Sequence, residues 1–256
     1  MSTPTSAEQG GKSHRDYVSR IGGTAATARG FMARRWNRYY LFTYQRIVTA
    51  MLQGETGPER TVLDVGTSHG NWLKFLRSCR FGRILGVELD ADRAELARAA
   101  GYDEVYNCDA SKLPLPDSSV DVAVSNDVFV HILRSEDKVA VLKEVRRTLR
   151  TGGMLIINHS SARAFGFGQD TVVDHCSFLT LSRFLGIVEE AGGYQVEDIK
   201  PSYFTRFGRH RPTFLRQALV ALPLGWLLLY WMDQILIRRT HIELSDYIYL
   251  KLRAAG

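Results

Sequence analysis

Cysteine is scarce in this chain. Its three cysteines, Cys79, Cys108 and Cys176, are far apart and form no Cys-x-x-Cys pair. The sequence therefore has neither the disulfide framework of a small secreted protein nor a cysteine-based zinc site. The first twelve residues, MSTPTSAEQGGK, lack the apolar segment of a secretory signal. We expect a reduced, cytoplasmic protein without a bound metal.

Long apolar runs are also missing. The uncharged stretch QALVALPLGWLLLYWM, residues 217–232, has 16 positions and contains Pro223 and Gly225, whereas a membrane-spanning helix needs about 20 apolar residues. Four interpretations stay open: a helix at a membrane interface, a lid over the substrate, a homodimer contact, or packing on the protein's own core. Aromatic and basic residues of the surrounding segment 206–239 favour an anionic membrane surface as a partner. These residues are Trp226, Tyr230, Trp231, Arg209, Arg211, Arg216, Arg238 and Arg239.

Acidic residues are rare in the first fifty positions. Eight Lys and Arg stand there against Glu8 and Asp16, and this difference of six equals the net charge of the whole chain, +6. Such an excess suits an anionic membrane, an acidic substrate, nucleic acid, or simply a solvated helix face. No RNA-binding motif with interleaved stacking aromatics accompanies it. The sequence thus argues against nucleic acid as the partner.

The dinucleotide fingerprint Gly-x-Gly-x-x-Gly is absent from the first glycine-rich turn. That turn, in VLDVGTSHGNW, follows an apolar strand and carries Gly66 and Gly70 in a Gly-x-x-x-Gly spacing, with Asp64 two residues before. Glycine permits a sharp turn and a close approach of the backbone to a ligand. A carboxylate at this place would repel a pyrophosphate. We expect a nucleotide-like ligand whose phosphates, if it has any, lie elsewhere.

Strand and helix patterns alternate from about residue 60 onward, which predicts a parallel sheet with helices on both faces. The pair Gly152–Gly153 is expected to end the helix DKVAVLKEVRRTLR. Ligands of such sheets bind at the carboxyl ends of the strands. The domain plan that follows has four parts: a disordered arm at 1–20, an N-terminal helical lid at 21–58, a core made of 59–204 and 244–256, and a hydrophobic, basic insert at 205–243.

Polar residues stand where the predicted strands end, and together they suit an adenosine joined to a charged amino acid. Glu88 ends the second strand and can accept hydrogen bonds from two ribose hydroxyls. Asp109 ends the third strand, where it can accept from an adenine amino group. Ser125 and Asn126 end the fourth, where backbone and amide oxygens can meet an ammonium group.

The chain is similar to the class I S-adenosylmethionine-dependent methyltransferases, in the branch that acts mostly on small molecules. The segments that carry the resemblance lie between about residues 60 and 160, and they are VLDVGTSHG, ILGVELD, CDASKLPLPDSSVDVAVSNDVFVHI and VLKEVRRTLRTGGMLII. The resemblance implies S-adenosylmethionine as the cofactor. It also implies a doubly wound, Rossmann-like sheet of seven strands, mostly parallel with an antiparallel last strand.

Carried over by position, the resemblance implies that Asp64, Gly66, Ser68 and Gly70 form the cofactor turn. It implies that Glu88, with Leu89, binds the ribose. It also implies that Asp109 and Ala110 lie beside the adenine and that Asn126 lies at the methionine end. One position departs from the family, which commonly has glycine where this chain has Ser68. Either Ser68 takes a strained positive φ, or the turn shifts and Ser68 caps the next helix.

The predicted reaction is methyl transfer to an oxygen or nitrogen of a small hydrophobic acceptor, a specialised metabolite or a lipid-linked compound. An alcohol or phenol acceptor also needs a base, and histidine titrates near neutral pH. The candidates are His131, His159 and His175. Two alternatives remain: an RNA methyltransferase, suggested by the isoelectric point near 9.3, and a non-catalytic binding protein that keeps the fold, suggested by Ser68.

Overall fold

The computed structural model describes residues 28–202, 214–237 and 241–255. The α-helices are α1 (Ala28–Met51), α2 (Leu73–Ser78), α3 (Ala91–Ala100), α4 (Ser135–Thr148), α5 (Leu181–Ala191), α6 (Phe214–Ala221) and α7 (Gly225–Ile237). The strands are β1 (Thr61–Val65), β2 (Arg83–Glu88), β3 (Glu104–Asn107), β4 (Val120–Ser125), β5 (Leu149–Ser160), β6 (Thr171–Val173), β7 (Cys176–Phe178), β8 (Tyr194–Pro201) and β9 (Tyr247–Ala254). The predicted arm at 1–20 lies outside the described residues.

Seven strands form one sheet in the order β3-β2-β1-β4-β5-β9-β8. Neighbours from β3 to β5 pair in parallel, while β9 runs antiparallel to both β5 and β8. The predicted fold, a mostly parallel sheet with an antiparallel last strand, is confirmed. The strand order reverses between β1 and β4, and the carboxyl ends of these two strands are where a ligand is expected.

Both faces of the sheet are covered, so each central strand sends alternate side chains into two separate cores. In β1, Val62 belongs to the core that also contains residues of α1, α2, α3, α6 and α7, while Leu63 and Val65 belong to the core of the other face, with residues of α4 and α5. This explains why the central strands read as nearly continuous apolar runs. It also decides which face each polar residue at a strand end can reach.

Helix caps account for several boundaries. The Asp90 side chain accepts from the Arg93 N–H at the start of α3, and Gly101, with φ 104°, ends that helix.

The expectation that Gly152–Gly153 ends the helix before it is wrong. Helix α4 already ends at Thr148, and both glycines lie inside β5, whose pairing with β4 is irregular between Val120 and Val122.

A short β6–β7 hairpin, which the sequence pattern did not indicate, follows β5. The buried Lys138 of α4 joins this hairpin to the loop after β4. Its Nζ donates to Ser177 Oγ at 2.8 Å and to the Ile132 carbonyl. Burial lowers the pKa of Lys138 to about 8. This lysine therefore holds two segments beside the carboxyl edge of the sheet in fixed positions.

The insert between β8 and β9 contains α6 and α7, which pack against α1. Trp226 and Tyr230 meet the Phe42 ring at centroid distances of 4.8 and 5.1 Å. Arg216, expected at a lipid headgroup, is instead buried and bonded to Asp233 at 2.6 Å, so that assignment is corrected. Among the described helices, none is both long enough and apolar enough to cross a bilayer.

Candidate active site

The glycine-rich turn after β1 has the left-handed backbone that its sequence predicts. Gly66, Ser68 and Gly70 have φ values of 82°, 49° and 81°. Ser68 therefore takes the strained positive φ, the first of the two alternatives. The second is wrong, because α2 starts after Trp72 without a side-chain cap, and the Ser68 hydroxyl instead lies 3.0 Å from His69 Nδ1.

Close packing against the protein itself also requires the two glycines of this turn. A Cβ atom on Gly66 would lie 2.3 Å from Val128 Cγ2, and one on Gly70 would lie 2.7 Å from the Ala100 Cβ. The Gly66 N–H donates to the Val87 carbonyl at 2.8 Å. The turn is thus seated between the loop after β4 and the end of α3.

Asp64 lies beneath the turn rather than at its surface. Its carboxylate is 2% exposed and accepts a 2.5 Å hydrogen bond from Tyr102 Oη. Burial raises the pKa of Asp64 to about 7, against the effect of the Tyr102 hydrogen bond, and the nearby Glu88 charge raises it further. The structure gives Asp64 a role in holding Tyr102 under the turn, and its contact with a cofactor stays a prediction.

Glu88 ties the end of β2 to the turn. Its Oε2 accepts from the Ser68 N–H at 2.8 Å, and its Oε1 accepts from the Asp90 N–H at 3.0 Å. Each carboxylate oxygen has two lone pairs, so each keeps one for a ligand hydroxyl. Asn107, which the sequence did not single out, fixes the end of β2 because its side-chain amide donates to the Glu88 and Leu89 carbonyls.

Apolar surface lies next to Glu88, as a stacked base requires. The Leu89 side chain is 58% exposed although it is large and aliphatic. Asp109 is exposed at the end of β3, where its Oδ1 accepts from the Ser111 N–H at 2.8 Å, and Ala110 beside it is half-buried. The structure therefore places Glu88, Leu89, Asp109 and Ala110 at the ends of adjacent strands, as the sequence order predicts.

A polar cluster joins the ends of β4, β5 and β9. Asn126 Oδ1 accepts from Asn158 Nδ2 at 3.2 Å and from the Tyr249 hydroxyl. Asp127 has a left-handed φ of 59°, and its N–H donates to Asn158 Oδ1 at 2.7 Å. Asn158 thus uses both ends of its amide to hold the two residues that follow β4.

Asp127 is the carboxyl group of this cluster, and its acidity is altered. Burial of its carboxyl group raises the pKa to about 6, although hydrogen bonds from Asn158, Tyr247 and Tyr44 oppose the shift. The Tyr44 ring of α1 lies 5.7 and 5.8 Å from those of Tyr247 and Tyr249. A carboxyl group that titrates near neutral pH therefore stands in an aromatic surrounding beside Asn126.

His159 does not have the environment of a general base. It is 2% exposed and points to the opposite face from Asn158, beside Phe184. Its Nδ1 lies 2.8 Å from the Ser160 carbonyl, and its Nε2 faces Ser177 Oγ at 3.5 Å. Burial, with the charge of Lys138, lowers the pKa of His159 to about 3. Such a weak base, sealed in the core, contradicts the role proposed for it from the sequence.

His131 and His175 lie together, half-buried. Their rings stack at 5.5 Å, and His131 Nδ1 lies 3.2 Å from the His175 carbonyl. Burial lowers the pKa of His131. With Cys176 they offer three metal-ligand atoms within 4.8 Å of one another, a grouping that cysteine spacing alone did not indicate. Their role as bases and the expected absence of a metal both stay predictions.

The residues missed from the sequence are neighbours of residues that were selected. Asp127 follows Asn126, and Asn158 precedes His159. A carboxylate directly after a predicted central strand was a sufficient signal for Asp127. Asn158 required knowledge of which β5 residue faces α1, and the tyrosines come from α1 and β9, which lie far apart in the sequence.

Comparison with known proteins identifies a domain in this chain. A family model described as a methyltransferase domain matches residues 63–157. A probable S-adenosylmethionine-dependent methyltransferase of Mycolicibacterium smegmatis is 30% identical over 168 residues, which cover 64% of this chain and 60% of that protein. The predicted methyltransferase class and its cofactor, S-adenosylmethionine, are confirmed at the level of this domain.

Other relatives of this chain differ in what their names say they act on. A probable tRNA methyltransferase 9B of Bos taurus is 32% identical over 103 residues, 40% of this chain and 22% of that protein. The crystal structure of a geranyl diphosphate C-methyltransferase from Streptomyces coelicolor has a TM-score of 0.57 at 18% identity, covering 83% of this chain and 77% of that one. This likeness shows the fold. The chain spans less than two thirds of the length of the two curated relatives.

Two buried hydroxyl groups at the strand ends fit a polar cofactor. Thr67 in the turn and Ser125 at the end of β4 have buried side-chain oxygens without a hydrogen-bond partner among the described residues. An unsatisfied buried hydroxyl costs roughly 1–3 kcal/mol. Together with the free lone pairs of Glu88 and the exposed Leu89, they make the turn after β1 suitable for S-adenosylmethionine.

Proposed function

We propose that this methyltransferase transfers a methyl group from S-adenosylmethionine to an oxygen or nitrogen of a small hydrophobic acceptor, a specialised metabolite or a lipid-linked compound. The observation that carries the proposal is Asp127. It is the second residue after β4, its pKa is about 6, and tyrosines from α1 and β9 surround it. The acceptor would lie beside this carboxyl group, over the ends of β4 and β5.

The cofactor would lie across the ends of β1, β2 and β3. Glu88 would bind the ribose hydroxyls with its remaining lone pairs, and Leu89 and Ala110 would contact the adenine faces. Asn126 would lie at the amino-acid end. When bound, S-adenosylmethionine supplies an electrophilic methyl group on a positively charged sulfur. The protein's part is to hold the acceptor in line with that methyl group in a site without water.

Asp127 would accept the proton that the acceptor's hydroxyl or ammonium group loses. A base with a pKa near 6 is ionised at neutral pH and is still strong enough to assist proton transfer. Asn158 would keep the carboxylate in place through the hydrogen bonds that it makes with Asp127 and Asn126. His159, with its pKa near 3, has no part in this step.

The aromatic groups around Asp127 support a hydrophobic acceptor. Tyr247 and Tyr249 of β9 and Tyr44 of α1 present rings next to the carboxylate. Aromatic side chains combine a large apolar area with a hydroxyl that fixes orientation. Pockets for small molecules have this composition: mostly apolar walls with a few polar groups.

A second candidate, RNA methylation, is favoured by the relative named as a tRNA methyltransferase and by the net charge of +6. That relative matches over 103 residues only, 40% of this chain and 22% of that protein, so most of each protein lies outside the match. RNA is kept as an alternative outcome of the experiment below.

The experiment is a methyl-transfer assay with S-adenosylmethionine labelled on its methyl group. The acceptors are a panel of phenols, long-chain alcohols and hydrophobic amines, with unmodified tRNA alongside. We expect label in an organic-soluble product, none in tRNA, and loss of the signal in Asp127→Asn. The control Asp117→Asn changes an exposed carboxylate that bonds Arg147 and should keep full activity. Label in tRNA alone, or undiminished transfer by Asp127→Asn, would contradict the proposal.

A further inference from the structure

The insert exposes an apolar face that the fold does not use. Four large side chains on or directly before α7 recur at intervals of four, three and four residues, so they lie on one side of the helix: Leu224, Leu228, Trp231 and Ile235. They are between 54% and 64% exposed. Phe214 and Leu215 of α6, with Leu222, are 52–87% exposed. These seven side chains are called the α6–α7 apolar face.

The other side of α7 is fully engaged with the protein. Leu229 and Asp233 are buried, and Trp226 and Tyr230 pack edge-on against Phe42. The helix is therefore already held against α1 by one face, and the apolar face is additional. Exposed apolar patches of this extent in soluble domains usually mark an interaction site.

The charge of the insert, residues 205–243, is strongly one-sided. It contains six arginines and two carboxylates, Asp233 and Glu243. Asp233 is buried with Arg216, whose Nη2 lies 2.6 Å from Asp233 Oδ1, and Glu243 is buried with its Oε2 3.0 Å from Arg163 Nε. The other five arginines of the insert are Arg206, Arg209, Arg211, Arg238 and Arg239. They flank α6 and α7 in the sequence, and their positive charge favours an anionic partner.

We propose that the α6–α7 apolar face inserts into the interfacial layer of an anionic lipid bilayer, to which the arginines that flank it in the sequence add electrostatic attraction. A helix pair that displays leucine and tryptophan, with arginines before and after it in the sequence, has the composition of a segment lying in the membrane plane. A second copy of the chain fits less well, because two inserts with the same basic excess repel each other. This partner is additional to the proposed methyl transfer, which it does not require.

The test is co-sedimentation of the full chain with vesicles. Vesicles containing phosphatidylglycerol are compared with vesicles of phosphatidylcholine alone. We expect binding to the anionic vesicles that weakens with added salt, and binding at least about tenfold weaker in the double variant Leu228→Ser/Trp231→Ser. Leu96→Ser is the matched control, since Leu96 is 50% exposed on helix α3, outside the α6–α7 apolar face, and it should bind as the wild type does.

Two results would overturn the proposal. One is wild-type protein that stays in solution with anionic vesicles, or a double variant that sediments as well as the wild type. The other is a dimer in sedimentation velocity that the double variant abolishes, which assigns the face to a second copy. Circular dichroism and S-adenosylhomocysteine binding verify that the variants fold. Vesicle binding by a protein without methyl-transfer activity would contradict the proposed function and leave the membrane proposal supported.

Discussion

At the scale of single residues, Asp127 combines a raised pKa with a left-handed backbone conformation that asparagine can also adopt. Its carboxyl group must be ionised to accept a proton, and protonation below its pKa of about 6 removes that ability. We therefore expect kcat/KM to rise with pH through about 6 and then to level.

Asp127→Asn tests this role cleanly. Asparagine tolerates the left-handed φ of 59° at this position, so the backbone should be unchanged. We expect kcat to fall by about 10²–10⁴-fold, the usual contribution of a general base, and the inflection near pH 6 to vanish while cofactor affinity is kept. An inflection that survives in the variant would assign the base to another residue, with His131 and His175 the next to examine.

Ser68 stores backbone strain in the cofactor turn. A left-handed conformation costs an L-residue roughly 1–2 kcal/mol, while glycine adopts it freely but loses more chain entropy on folding, about 0.5–1 kcal/mol. Ser68→Gly should therefore raise the free energy of unfolding by roughly 0.5–1 kcal/mol in urea titrations. Ser68→Ala keeps the strain and should give no such gain. A glycine variant less stable than the wild type would show that the Ser68 hydroxyl matters more than its φ.

At the scale of elements, strands and helices with a strong pattern were predictable and short ones were not. Within the helical lid expected at 21–58, the structure has α1, Ala28–Met51. The β6 and β7 strands have three residues each, too few to show an alternating pattern. Helix α4 ends before its glycines because Leu149 already pairs with Val120 of β4. Pairing across the sheet, which the sequence does not display, overrode the local stop signal.

The buried pair between α6 and α7 makes the insert part of the fold. Arg216 and Asp233 are 4% and 1% exposed, and the Tyr39 hydroxyl of α1 also donates to Asp233. Asp233→Ala leaves Arg216 buried without this carboxylate, so we expect a loss of about 3–5 kcal/mol in the free energy of unfolding.

The double variant Arg216→Met/Asp233→Leu serves as the control for this pair. Apolar residues of similar size remove both charges together, and such replacements are often neutral. We expect the double variant to recover most of the stability lost in Asp233→Ala, as measured by chemical denaturation. Equal losses in both variants would mean that the surrounding packing, rather than the unpaired charge, causes the effect.

At the scale of the whole molecule, the sheet and its ligand-binding edge were predictable because they depend on the order of elements along the chain. The partners of Asp127 were not, because α1 and β9 reach it from opposite ends of the sequence. The same holds for Arg216, which reads as an exposed flanking charge in the sequence and is buried in the fold. Which face a residue takes is decided by packing between distant segments.

The buried His159 should make global stability sensitive to acid. Its folded pKa of about 3 lies below the value of about 6.5 expected in the unfolded chain. The unfolded state thus binds a proton that the folded state does not, and stability present above pH 6.5 is lost as the pH falls. At pH 5 this group alone should cost roughly 2 kcal/mol.

His159→Gln separates this contribution from those of other groups. Glutamine keeps a polar side chain but does not titrate, while the raised pKa values of Asp64 and Asp127 act in the opposite direction in both proteins. The stability difference between wild type and variant, from urea titrations at pH 7.5 and pH 5, should shift by roughly 2 kcal/mol in favour of the variant at the lower pH. A difference that does not change with pH would show that His159 is accessible to protons in the folded state.

The central claim is that the turn after β1 and Glu88 hold S-adenosylmethionine, and calorimetric titration with S-adenosylhomocysteine tests it most directly. The account predicts binding to the wild type and an affinity at least about tenfold lower, or about 1.4 kcal/mol, in Glu88→Ala, with Glu95→Ala, which alters an exposed acid of α3, binding normally. No binding to the wild type, or equal binding to Glu88→Ala, would contradict it.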